Sequence, residues 1–296
     1  MTGVNAALEA HKAGGEFVSV DGLNIFYRRA GSGSGTPLVL THGIPRSSFL
    51  YRKMVPILGA ARPVRAWDLY GFGLSEKPRD QSRYYFPKFE EFLGRFLDQL
   101  GIERAHLVCH DVGGPFTIGW AVRNPHRVAS LTIMNTTVFL SGFWIPGPVL
   151  ASILLPYSLQ ERFMSDAQFA DMILRYIQRK ALKNGDALAG EEGEAFKELL
   201  TRDGGRWSLA RTLKAYRVVL PYLLGIQKAL PRFTRPTLVL WGKHDPFCTL
   251  PIAGRFARAI PEADIRVVSH ASHFLQEDQP EETSRIILDF IKRAEE

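Results

Sequence analysis

Cysteine is scarce in this chain: two residues, Cys109 and Cys248, among 296. That excludes a disulfide framework and a cysteine-rich zinc site. Other signatures are missing as well. There is no H-E-x-x-H, no paired C-x-x-C, no EF-hand loop, and no G-x-G-x-x-G opening a helix early in a βαβ unit. No metal and no cofactor is therefore expected. A net charge of +7 comes from 37 Lys and Arg against 30 Asp and Glu, yet no run of five or six basic residues exists. Spread charge of this kind is a solvated surface, so no nucleic-acid partner is expected. The longest uncharged stretch, Val128 to Gln160, is broken by Pro146, Pro148 and Pro156 and by Gly142 and Gly147. A spanning helix wants ~20 apolar residues with few breakers, so no stable membrane insertion is expected. The first residues, MTGVNAALEAHKAGGEF, lack a basic segment followed by an apolar one and do not read as a secretory signal, which leaves a cytoplasmic location as the expectation.

What is present is ordinary globular composition, 46% hydrophobic and 23% charged, arranged with a clear period. Leu38–Leu40, Leu107–Cys109 and Leu238–Trp241 are apolar at every position and Leu131–Met134 at every position but Thr132, as strands buried on both faces of a parallel sheet are. Between them, Phe89, Phe92, Leu93, Phe96, Leu97 and Leu100 follow helical spacing up to a stop at Gly101, and Ile286, Ile287, Phe290 and Ile291 do the same. Asp21-Gly22 between two strand-like runs, 16–20 and 23–27, signals a hairpin. Strands alternate with helices to about residue 135 and again from Pro236. The segment between reads as helical, with Met164–Lys180 and Ser208–Leu224 its clearest helices. Alternating units imply a parallel sheet with helices on both faces, whose ligands bind beyond the carboxyl ends of the strands. The division is a core over 1–137 and 231–296 with a helical insertion, 138–230, acting as a cap.

Four segments follow such strands and carry reactive side chains. Leu107-Val-Cys-His-Asp-Val-Gly-Gly-Pro115 runs from a buried strand through a small-residue turn into a helix. That is the setting of a nucleophile elbow, usually G-x-S-x-G, with Asp111 at the centre. A helix-capping Asp in a glycine-rich turn is the plainer alternative. Thr41-His42-Gly43-Ile44-Pro45 follows an earlier strand. A loop at this place supplies one oxyanion-hole N–H and the residue after the nucleophile the other, which designates the backbones of Ile44 and Val112. Asp245 lies just past the strand Leu238–Trp241, and His273, with His270 as its rival, lies past Ile265–Val268. The order nucleophile, acid, histidine assigns the acid to fixing the imidazole tautomer and the histidine to activating water. His42 and His110 read as loop supports, and Cys109 as strand packing.

With His42-Gly-Ile-Pro-Arg-Ser-Ser-Phe-Leu-Tyr-Arg-Lys-Met54, Asp68-Leu-Tyr-Gly-Phe-Gly-Leu-Ser-Glu-Lys-Pro78, His110-Asp-Val-Gly-Gly-Pro115 and His273-Phe-Leu-Gln-Glu-Asp278 in place, the chain resembles the aspartate-nucleophile branch of the α/β hydrolases. That branch contains epoxide hydrolases and haloalkane dehalogenases. The resemblance covers about residues 17–136 and 234–293. It implies an α/β-hydrolase fold: a mostly parallel eight-stranded sheet, helices on both faces, and a helical cap. It also implies Asp111 as nucleophile, Asp245 as acid and His273 as base. A carboxylate nucleophile attacks an sp³ carbon and forms an alkyl ester, and water then attacks the carboxyl carbon with help from the histidine. Ester hydrolysis would instead require an anhydride at Asp111 and is disfavoured.

The substrate expected is small, largely apolar and electrophilic. Dehalogenases similar to this chain place Trp after the nucleophile and an Asn or Glu in the H-G-x-P loop, or a second Trp in the cap. Val112 and Ile44 stand in the first two places and donate nothing; Trp144 and Trp207 are candidate cap donors. Epoxide hydrolases use cap tyrosines on the epoxide oxygen, and the resemblance points to Tyr157, early in the cap, and to Tyr216 of Tyr216-Arg217. Tyr176 and Tyr222 read as packing. An epoxide hydrolase is the leading expectation. A dehalogenase-like enzyme with atypical halide donors is second, and a non-catalytic ligand-binding protein of this fold is third; cofactor-free oxygenase chemistry is more remote.

Overall fold

A computed structural model describes residues 5–142 and 144–296. Residues 1–4, part of the amino-terminal stretch weighed above as a leader, and Phe143 lie outside the described residues. Eight strands form one sheet: β1 (Gly15–Val20), β2 (Leu23–Ala30), β3 (Leu38–Thr41), β4 (Val64–Trp67), β5 (Ala105–His110), β6 (Val128–Met134), β7 (Thr237–Gly242) and β8 (Asp264–Val268). Their order across the sheet is β1-β2-β4-β3-β5-β6-β7-β8. The β1–β2 and β2–β4 pairs are antiparallel and every other pair is parallel.

The apolar runs form the middle of the sheet because only there are both faces covered. Every residue of β3, β5, β6 and β7 is buried. The Asp21-Gly22 hairpin forms with positive φ at both turn residues, 50° and 76°, the geometry that matches strand twist. One strand was not visible in the sequence. β4 reads Val-Arg-Ala-Trp, and Arg65 interrupts its apolar run while Val64, Ala66 and Trp67 are buried. Trp67 fixes it by stacking on Phe96, ring centroids 4.8 Å apart, from the helix Phe86–Gln99.

All the regular elements between β6 and β7 in the described residues are helical. The two long helices expected there are each broken. Met164–Lys180 is instead the end of one helix, Tyr157–Met164, and a second, Phe169–Tyr176, followed by a wide turn, Ile177–Ala181. The break is an Asx turn in which Asp166 Oδ1 accepts from the backbone of Gln168 at 2.7 Å. Ser208–Leu224 is divided between Gly205–Lys214 and Leu220–Ala229. Pro221, in the first turn of the second helix, has no N–H to continue the first. The loops after β3, β5, β7 and β8 line one cavity together with this helical segment.

Candidate active site

β5 ends at His110, and Asp111 follows with φ +50°, a left-handed conformation that a non-glycine residue holds only when its surroundings impose it. The surroundings are specific. Thr136, after β6, donates its hydroxyl to the Asp111 carbonyl at 2.5 Å. A Cβ on Gly114 would lie 2.0 Å from that same hydroxyl oxygen, so the turn closes only over glycine. Gly43 is constrained in the same way, because a Cβ there would stand 2.2 Å from Asp111 Oδ2. That close approach lets the Ile44 N–H donate to Asp111 Oδ2 at 2.8 Å, and the Val112 N–H also donates to the carboxylate. Oδ2 is therefore held by the backbone of Ile44, one of the two donors designated from the sequence.

His273 approaches from the other side. Its Nε2 is 3.7 Å from Asp111 Oδ1, beyond hydrogen-bond length. Its Nδ1 is 2.9 Å from Asp245 Oδ2. Asp245 is locked by three further donors: Asn135 Nδ2 at 2.6 Å to Oδ2, and the backbones of Phe247 at 2.7 Å and Cys248 at 3.0 Å to Oδ1. An acceptor held this firmly fixes the proton on Nδ1 and leaves Nε2 as a lone-pair base facing Asp111. Burial depresses the His273 pKa, but the charge and hydrogen bond of Asp245, with the Asp111 charge, bring it above the usual value. Burial raises the Asp111 carboxyl, opposed by His273 and the two N–H donors.

Two of the other histidines are supports. His42 Nε2 accepts from the Leu69 N–H at 3.0 Å, so its Nδ1 carries the proton and donates to Gly43 O at 2.7 Å. His110 Nε2 contacts the His273 carbonyl at 2.8 Å. His270 is exposed, away from this set. Burial first, and the Arg46 charge after it, hold His42 near a pKa of about 4 even though the Gly43 contact opposes the shift. The sign follows. Below pH ~6.5 the unfolded chain takes up a proton that the folded chain refuses until about pH 4, so stability is lost across that window, by about 3 kcal/mol at pH 4 from His42 alone. Urea unfolding measured from pH 7 to 4 should show this decline, and His42→Gln should make it shallower without abolishing it, because burial depresses His11 and His110 as well; an unchanged decline in the variant would contradict the assignment.

Above Asp111 lies a cavity of about 160 Å³, walled by apolar side chains such as Val149, Ile153, Met172, Ile173, Leu209 and Leu213. Its few polar side chains are Asp111, His273, Ser152, Tyr176, Tyr216 and the indole of Trp144. Tyr216 lines it, with its ring edge-on to Phe86 at 5.2 Å. Burial first, then the Asp111 charge, hold the Tyr216 phenol protonated well above its usual range. Trp144 lies at the mouth, half exposed and stacked flat on Phe247 at 6.0 Å. Tyr157 is not brought into this group. Its ring is covered by the Arg211 guanidinium at 4.1 Å, outside the cavity.

Two contributors were not foreseen. Tyr176, read as packing, lines the cavity with a buried hydroxyl that has no hydrogen-bond partner among the described residues. Asn135 clamps Asp245 and also accepts from the Gly242 N–H at 2.9 Å, tying the ends of β6 and β7. Its signal was its place: a polar residue directly after a largely apolar buried strand. Among the described residues no cluster of three His, Cys, Asp or Glu side chains could hold a metal ion.

Comparison with known proteins adds to this geometry. The alpha/beta hydrolase fold family matches residues 36–280. Haloalkane dehalogenase 2 of Mycobacterium tuberculosis (strain ATCC 25618 / H37Rv) is 30% identical over 87% of this chain and 88% of its own length. Epoxide hydrolase 3 of Xenopus tropicalis is 29% identical over 92% of this chain and 75% of its own. The crystal structure of haloalkane dehalogenase DbeA from Bradyrhizobium elkani USDA94 superposes with a TM-score of 0.81 at 25% identity, covering 95% of this chain and 98% of that one.

Proposed function

The chain belongs to the α/β-hydrolase fold family, and we propose that it is a hydrolase that opens epoxides to diols through a covalent ester at Asp111, beneath a helical cap over residues 138–230. The observation that carries this reading is the pair of phenols, Tyr216 and Tyr176, lining the cavity above a carboxylate whose neighbours Ile44 and Val112 offer only backbone donors. A phenol is the donor that a strained ether oxygen needs, because it gives a proton as the ring opens.

Oδ1 of Asp111 attacks one epoxide carbon while Oδ2 stays in its bond from the Ile44 N–H. The C–O bond breaks, and the alkoxide takes the proton of Tyr216, with Tyr176 the second donor. Water in the space between Oδ1 and His273 then attacks the Asp111 carboxyl carbon and passes one proton to Nε2. The Ile44 and Val112 N–H groups hold the developing oxyanion. Collapse expels the diol oxygen, which takes the proton from His273. The second proton of the water, left on the regenerated carboxyl, returns to the Tyr216 phenolate.

One observation favours a halide leaving group instead: Trp144 puts an indole N–H at the cavity mouth. Side-by-side assays with terminal epoxides and bromoalkanes separate the readings. Diol formation without bromide release is expected, and bromide release without diol would overturn the proposal. Tyr216→Phe should lower kcat/KM on the epoxide by about 10²-fold, the usual weight of a general acid, with an unchanged melting temperature. Undiminished turnover would remove Tyr216 from the chemistry.

A further inference from the structure

We propose that the outer face of the cap docks on an anionic membrane surface, in the plane of the interface. Three helices each turn a pair of large apolar side chains, four residues apart, toward solvent: Leu150 and Leu154, Leu159 and Phe163, Leu220 and Leu224. Side chains at that spacing share one helix face. Scattered single exposures are normal, but three such pairs within one helical segment mark apolar surface. Leu154 is 64% exposed and Val218 60%. They are neighbours, because Arg217 donates to the carbonyls of Ile153 at 2.7 Å and Leu154 at 2.6 Å.

The exposed charge around this face is mainly positive. Arg162, Arg217 and Lys228 are exposed and Arg206 is half-buried, while Arg211 and Lys214 lie buried beneath; the acids beside them are Glu161, taken by Arg211, and the exposed Asp166. Apolar residues flanked by cations are what an interfacial, anionic-lipid-binding surface requires, each cation adding about 1 kcal/mol near such a surface. A second copy of this chain fits less well, since a twofold contact would press this basic collar against itself. No helix among the described residues is long and apolar enough to cross a bilayer, so docking is peripheral.

The face also meets the cavity. Phe163 and Trp144 are both partly exposed and both line it, so its mouth opens on the docking surface. An apolar substrate dissolved in lipid would enter without crossing water. That last step rests on the cavity's being the substrate site, whereas docking itself is read without turnover.

The test is co-sedimentation with phosphatidylcholine vesicles carrying about a third phosphatidylglycerol, and with phosphatidylcholine alone, at low and high salt. The full chain should sediment with the anionic vesicles, less with the zwitterionic ones, and less at high salt. The double variant Leu154→Ser, Leu224→Ser should bind at least ~10-fold more weakly, with unchanged melting. Should that pair fail to fold, Val218→Ser carries the same comparison. Failure of the full chain to bind anionic vesicles, or equal binding by the variants, would overturn the proposal. So would a dimer by light scattering that the variants dissolve, which would assign the face to a second copy.

Discussion

His273→Gln is expected to accumulate a covalent ester on Asp111. The substitution removes the lone pair that faces the carboxylate at 3.7 Å and keeps an amide N–H able to serve Asp245. Attack by Oδ1 on the epoxide carbon needs no base, so the first step survives. The second step needs a proton removed from water and slows by about 10³-fold. Ester should therefore form at near the native rate and persist. Mass spectrometry of the digested variant should show the Asp111 peptide heavier by one substrate. An unmodified peptide, on a substrate that the native protein turns over, would contradict the mechanism. Asp111→Asn supplies the matching control and should form no adduct.

The second large effect is on stability. Glu277 is fully buried and receives Arg46 Nη2 at 2.5 Å, Arg52 Nη1 at 2.6 Å and Lys53 Nζ at 3.3 Å. Arg46 lies two residues after Ile44, and Glu277 four after His273, so this buried group ties the loop holding Asp111 Oδ2 to the loop holding the base. Phe196 from the cap and Phe274 cover the Arg46 guanidinium at 5.0 and 5.2 Å. Burial lowers the Arg46 pKa to about 10, with the Glu277 charge opposing the shift. Glu277→Ala leaves that cation buried and unpaired, at a cost of about 3–5 kcal/mol. In a domain of this size that is a fall in Tm on the order of 10 °C by calorimetry. Glu91→Ala, which removes an exposed partner of Lys88, should leave Tm unmoved. Equal effects from the two substitutions would show that the buried group does not anchor the loops.

The fold was legible, and the three side chains proposed as reactive were singled out, from the placement of the strands. Buried parallel strands leave uninterrupted apolar runs, and Asp111 and Asp245 each follow one at the end where ligands bind, whereas His273 follows the largely exposed edge strand β8, whose run Arg266 interrupts. β4 was not legible, because Arg65 breaks its run; pairing with β2 and β3 and the stacking of Trp67 on Phe96 hold it. The cap was legible as helix but not in detail. Tyr157 sits at the expected distance along the chain, yet the turn of its helix presents the ring to Arg211 and Lys214 instead of the cavity. Tyr176 closes a helix whose neighbours were assigned to one longer helix. The Asx turn at Asp166 and the wide turn from Ile177 reset which face points inward. Helical periodicity tells which face is buried, not what it is buried against.

The central claim is that Asp111, not water, makes the first bond to substrate. A single turnover in heavy-oxygen water, with enzyme in excess over a terminal epoxide, tests it most directly. If the ester forms, water attacks the carboxyl carbon, so the diol should leave without label and the Asp111 peptide should carry one heavy oxygen. Label in the first-turnover diol, with none in that peptide, would contradict the account.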